Sequence, residues 1–98
     1  MKGMSRREHS STVSREIQIT NELGLHARPA AEFVRLANAF RSEICLVTAA
    51  GRFSALSLID VMRANLNCGA VARLEASGPD AAKAVERLAA TLKEWRGP

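Results

Sequence analysis

His26 sits in the run Gly24-Leu25-His26-Ala27-Arg28-Pro29-Ala30-Ala31, and the residue types around it suit one kind of chemistry. Gly24 allows the chain to turn tightly. Pro29 has no N–H to lose and a φ that is already helical, so it suits a first helical turn. His26 is then expected at the positive end of a helix, where unpaired backbone N–H groups point outward. That end disfavours imidazolium and leaves a neutral, nucleophilic ring. It also stabilises an anion attached to the ring. A phosphoryl group is such an anion, and Arg28 is spaced to follow its oxygens. A histidine met alone at a turn is more often structural. The glycine, arginine and proline around His26 are what favour the acceptor reading. His9, in the N-terminal run, has no such company and is assigned no role.

The elements that must position this segment can be read from periodicity. Glu16-Ile17-Gln18-Ile19-Thr20 alternates strictly, which predicts a half-buried strand with Ile17 and Ile19 inward. From Ala27 to Phe40 an apolar stripe of Ala30, Phe33, Val34, Ala37 and Phe40 predicts a helix with Glu32, Arg35 and Asn38 toward water. Glu43 to Thr48 predicts a second strand with Ile44 and Leu46 on the core side. A turn at Ala49-Ala50-Gly51 and a short strand from Arg52 to Ala55 complete a hairpin. Ser57 to Arg63 is expected as a short helix and Asn65 to Gly69 as a loop. Ala70 to Ser77 is expected as the fourth strand, with Ala72, Leu74 and Ala76 inward. Gly78-Pro79-Asp80 opens a last helix, with Asp80 complementing its dipole. Ala81, Val85, Leu88, Leu92 and Trp95 line one face of it. The order is βαββαβα, an α+β chain whose alternating strands bury one sheet face and leave the other wet.

The first 14 residues are polar and without periodicity, and are expected to form a disordered N-terminal extension. Residues 15–98 are expected to form one domain, which the length of 98 residues allows. Lys+Arg 14 against Asp+Glu 10 gives a net charge of +4, but Lys2, Arg6, Arg7 and Arg15 lie in or beside the extension. The domain is therefore nearly balanced. With three Phe, one Trp and no Tyr there is no basic stripe with interleaved aromatics, so no nucleic-acid partner is expected. Cys45 and Cys68 share no metal-ligand spacing with each other or with a histidine, and neither a metal nor a cofactor is expected. With no apolar signal segment at the start, two isolated cysteines fit free thiols in a reducing cytoplasm. No apolar run approaches the length of a membrane span. A free-standing monomer is the expected form.

The stretch Ile19-Thr20-Asn21-Glu22-Leu23-Gly24-Leu25-His26-Ala27-Arg28-Pro29-Ala30 resembles the active-site segment of the HPr family, the histidine phosphocarriers of the bacterial phosphotransferase system. Ser57-Leu58-Ile59-Asp60-Val61-Met62 resembles that family's regulatory-serine helix at the expected distance downstream. The resemblance runs from about Arg15 to the last helix with no large gap, and two collinear motifs are far more specific than one. It implies an open-faced β-sandwich, a four-stranded antiparallel sheet with three helices on one face. It implies a carrier and not an enzyme in its own right. His26 would accept a phosphoryl group at Nδ1 from the phosphohistidine of enzyme I, itself charged by phosphoenolpyruvate. The group would then pass to an enzyme II A domain, with Arg28 stabilising its charge.

The same resemblance makes Leu58, Ile59 and Met62, extended by Ala27, Ala31 and Arg35, a partner-docking surface. Burial in the core is the ordinary fate of the apolar three. It also makes Ser57 a site for HPr kinase/phosphorylase, although a plain N-cap explains a serine here equally well. Leu56 stands where that kinase-regulated branch usually has lysine, and Asp60 where it usually has glycine. Leu23 within Thr-Asn-x-Leu-Gly is close to proteobacterial carriers, including the nitrogen-related branch called NPr. Asn65 stands where glycine is common, and asparagine tolerates the left-handed conformation. Two alternatives stay open at this level: a nitrogen-branch regulatory carrier, and a regulatory binding protein acting through phosphorylated Ser57.

Overall fold

The computed structural model describes residues 12–20 and 27–94. His26, most of its motif upstream, His9 and Trp95 lie outside the described residues, as do the first 11 residues of the expected extension. Within them the order is β1 (Thr12–Gln18), α1 (Ala27–Ala37), β2 (Glu43–Thr48), β3 (Gly51–Ser54), α2 (Leu58–Arg63), β4 (Val71–Ser77) and α3 (Ala81–Glu94). The strands form one sheet in the order β1-β4-β2-β3. Every neighbouring pair is antiparallel. This is the expected βαββαβα arrangement.

Alternation decides the faces as expected. Ala72, Leu74 and Ala76 of β4, Ile44 and Leu46 of β2, and Ile17 of β1 are buried. They share one core with Phe33 and Ala37 of α1, Val61 of α2, and Ala81, Val85, Leu88 and Leu92 of α3. The helices thus cover one side of the sheet. On the other side Glu75 accepts hydrogen bonds from Arg73 and Arg52, each at 2.8 Å. Arg73 first, and then Arg52, hold the Glu75 carboxyl below the ordinary carboxylate range. Exposed pairs of this kind add little to stability.

The largest differences from expectation are in β1, α1 and the hairpin. The first strand starts at Thr12, so residues 12–14 belong to the sheet and not to a disordered extension. β4 is long enough to pair with them, Thr12 opposite Ser77 and Ser14 opposite Glu75. Ladder hydrogen bonds need no apolar alternation, which is why polar residues here gave no signal. Ile19 and Thr20 lie past the end of β1, although Ile19 is buried and its N–H still bonds the Ala70 carbonyl at 2.9 Å.

The second difference is in α1, which ends at Ala37 and not at Phe40. The Ala39 and Phe40 N–H groups turn to carbonyls three residues back, Leu36 at 3.0 Å and Ala37 at 3.2 Å. Such tightening is a common helix end. The third is the hairpin. Gly51 is the first residue of β3, paired with Thr48, so the turn is Ala49-Ala50 alone. The Thr48 hydroxyl accepts the Ala50 N–H at 3.0 Å, and Gly51 takes the φ of 143° that closes the turn.

Candidate functional site

Helix α1 begins with Ala27, the residue that follows His26 in sequence. Ala27 and Arg28 are exposed, whereas Pro29 and Ala30 are buried. The first turn thus starts with two solvent-facing residues followed by two core residues. Pro29 anchors the turn and occupies a position whose N–H has no intrahelical acceptor. The first turn contains no acidic residue, so no carboxylate of its own offsets the positive helix end. Further along, Ala31 and Arg35 are exposed, one helical repeat apart, and Arg35 bonds Glu32 at 2.8 Å.

The chain enters the His26 segment from β1, and the end of that strand is propped by the loop after α2. The Gly69 N–H donates to the Ile19 carbonyl at 2.7 Å, and the Gln18 side-chain amide to the Gly69 carbonyl at 3.3 Å. Asn65 starts that loop with a φ of 54°, the left-handed turn that an asparagine there was expected to tolerate.

Ser57 is the N-cap of α2, with extended backbone, and its hydroxyl accepts the Asp60 N–H at 3.3 Å. The cap expected from sequence is therefore present. Leu58, Ile59 and Met62 are 40%, 71% and 42% exposed, and Val71 is the only other large hydrophobic so exposed among the described residues. Core burial, the ordinary fate of such residues, does not apply to these three. α1 and α2 pack against each other. The Asn38 side-chain amide, one residue past α1, donates to the Val34 carbonyl at 2.8 Å and to the carbonyl of Leu56, ahead of α2, at 3.2 Å.

Two of these contacts could not be read from the sequence. Asn38 faces water, as expected, yet also joins the end of α1 to the segment ahead of α2. Asp60 turns one carboxylate oxygen back to accept the Ser54 N–H at 3.0 Å. An asparagine near a helix C-terminus and an aspartate in a helix first turn were the available signals. Neither identifies its partner.

A family model described as the PTS HPr component phosphorylation site matches residues 13–94. The chain belongs to the HPr family. HPr proteins are phosphocarriers of the bacterial phosphotransferase system. The match starts at Val13, inside β1, in agreement with the strand boundary. Phosphocarrier protein HPr of Vibrio cholerae is 40% identical over 80 residues, 82% of this chain and 94% of that protein. The HPr-like protein Crh of Bacillus subtilis is 35% identical over 82 residues, 84% of this chain and 96% of that protein. The crystal structure of HPr from Bacillus anthracis superposes with a TM-score of 0.79 at 33% identity, covering 83% of this chain and 96% of that one.

Among the described residues no cluster of three or more His, Cys, Asp and Glu could hold a metal ion. No helix among them is long and apolar enough to cross a membrane.

Proposed function

We propose that this chain carries a phosphoryl group on His26, taken from phosphorylated enzyme I and handed to an enzyme II A domain, in sugar uptake or its regulation. The observation that supports this best is the start of α1 at Ala27, directly after His26, with no acidic residue in its first turn. An imidazole that precedes such a helix end in sequence suits a phosphoryl acceptor, because the field there favours a neutral ring and a bound anion. Donor and acceptor are both protein side chains. The carrier's contribution is therefore presentation and charge stabilisation, the latter assigned to Arg28.

Each partner must dock in turn, and the exposed Leu58, Ile59 and Met62, with Ala27, Ala31 and Arg35, are the surface we assign to docking. Such work suits the cytoplasm, where the free Cys45 and Cys68 would stay reduced. We take the monomer as the working form. Crh, by contrast, has a crystal structure described as an intertwined dimer formed by swapping.

The test is incubation with phosphoenolpyruvate and enzyme I. One acid-labile, base-stable phosphoryl group is expected on His26, and none in His26→Ala. A label that persists in that variant overturns the reading. Offering the phosphorylated protein to A domains of sugar and nitrogen type then separates the two branches.

A second reading is favoured by Ser57, whose hydroxyl heads an exposed apolar helix as a regulatory modification would need. In it the protein acts as a binding partner once Ser57 is phosphorylated. Binding that survives in His26→Ala and is lost in Ser57→Ala would support it.

A further inference from the structure

Helix α2 buries few of its own residues. Of its six residues only Val61 is buried, with Ala64 buried just beyond its end. A helix this short has no stability of its own, so its pose comes from what holds it. One buried valine sets how far α2 lies from the core and does not by itself fix its roll. Rolling would redirect Leu58, Ile59 and Met62 together. Polar contacts cluster at its N-terminal end.

Five polar contacts lie at this end. The Ser57 N–H donates to the Ser54 carbonyl at 3.4 Å and the Leu56 N–H to the Ser54 hydroxyl at 3.2 Å, both ahead of the helix. The Ser57 hydroxyl accepts the Asp60 N–H at 3.3 Å, which closes the first turn on itself. The Asn38 amide reaches the Leu56 carbonyl at 3.2 Å, before the helix begins. Asp60 Oδ2 accepts the N–H of Ser54, the last residue of β3, at 3.0 Å. Of the five, only this bond runs from a side chain of the helix to a strand. Arg63 lies 3.9 Å from the other oxygen, Oδ1, and so leaves Oδ2 to the strand.

We propose that Asp60 is a positioning residue for partner docking: bonded to the Ser54 N–H, its carboxylate fixes the roll of α2 and the pose of Leu58, Ile59 and Met62. This rests on the assignment of those three to the docking surface. The physical gain is preorganisation. A surface already held in its bound pose does not lose that freedom when the partner arrives. Asp60 itself does no chemistry on the phosphoryl group.

The test uses the full chain with phosphorylated enzyme I as donor, reading KM and kcat together with amide exchange. Asp60→Ala is expected to raise KM about two- to tenfold, the range of one net hydrogen bond, and to leave kcat unchanged. Exchange at the Ser54 amide should quicken while the Leu74 amide in β4 keeps its protection. Asp60→Asn retains an acceptor oxygen without the charge and should stay close to the parent in KM and in Ser54 protection. Asp60→Glu keeps the charge but moves the carboxylate by one methylene, and should raise KM. That variant carries the test if Asp60→Ala loses Leu74 protection.

Wild-type KM in both Asp60→Ala and Asp60→Glu overturns the proposal. So does an Asp60→Asn variant with the raised KM of Asp60→Ala, since charge and not the bond would then be responsible. Ile59→Ala distinguishes the levels. Unchanged KM there removes the docking surface and this proposal with it. Raised KM there, with wild-type values for the Asp60 variants, removes the proposal alone.

Discussion

The Asp80 carboxylate accepts the Ser42 hydroxyl at 2.6 Å across 38 positions of sequence. It also accepts the Arg41 N–H at 3.1 Å and 3.0 Å, through its two oxygens. The start of α3 is thereby stapled to the turn between α1 and β2. Gly78 is required by the same approach, because a Cβ there would lie 2.6 Å from the Ser42 hydroxyl and 2.8 Å from the Arg41 carbonyl. The acidic residue expected only to complement a helix dipole also joins two distant parts of the chain.

The staple predicts an acid-sensitive component of stability. The Ser42 hydroxyl first, and then the Arg41 N–H, hold the Asp80 carboxyl below the ordinary carboxylate range. A carboxyl whose pKa is lower folded than unfolded stabilises the fold above its unfolded value, about 4, and that contribution is lost as pH falls through the folded value. Urea midpoints of the parent should therefore drop in acid, and those of Asp80→Asn should drop less. Equal acid dependence in the two proteins would show that the staple is not coupled to protonation.

Arg28 is exposed in the first turn of α1, so Arg28→Ala removes little packing and should change the urea midpoint only slightly. Its expected cost is in transfer. Losing one charge-assisted contact to the phosphoryl group is worth on the order of 1.5–3 kcal/mol, a rate loss of about ten- to a hundredfold. Rapid-quench transfer from enzyme I and to an A domain reads both directions. Unchanged rates in both would leave Arg28 without a role in the reaction.

Ser57 separates cap from switch. Ser57→Ala deletes the acceptor for the Asp60 N–H and should cost roughly 0.5–2 kcal/mol of stability, with transfer almost untouched. Ser57→Asp keeps an acceptor at the cap and should barely alter stability. It places a charge at the edge of the exposed Leu58, Ile59 and Met62 surface, so KM for enzyme I should rise while His26 remains competent. A wild-type KM in the aspartate variant would reduce Ser57 to a cap.

Oligomeric state bears on the edges of the sheet. β1 and β3 are the outer strands, and β1 carries Arg15 at its centre, exposed and opposite the buried Leu74. A charge among the core-facing positions of an edge strand opposes pairing with a second copy. Light scattering at micromolar concentration should give a monomer, and Arg15→Val should shift the population toward dimer. A wild-type dimer would contradict the monomer reading.

Much of this protein was legible without coordinates, and the reason is local. Which way Ile17, Ile44, Leu46, Leu74 and Leu88 face follows from periods of two and 3.6, which need no knowledge of partners. Pro29 at the first turn of α1, Ser57 at the cap of α2 and Asn65 in the left-handed region each express a preference of the residue itself. The HPr motifs are likewise contiguous runs. Tertiary structure decided what joins to what. Thr12 to Ser14 became strand because β4 offered ladder partners. Asp80 found Ser42, and Asn38 found Leu56, because folding brought them within hydrogen-bond reach. Asp60 points to Ser54 because β3 and α2 meet at one corner. A side-chain type records that a group can donate or accept, but the identity of its partner is settled only by how the elements that carry the two groups pack.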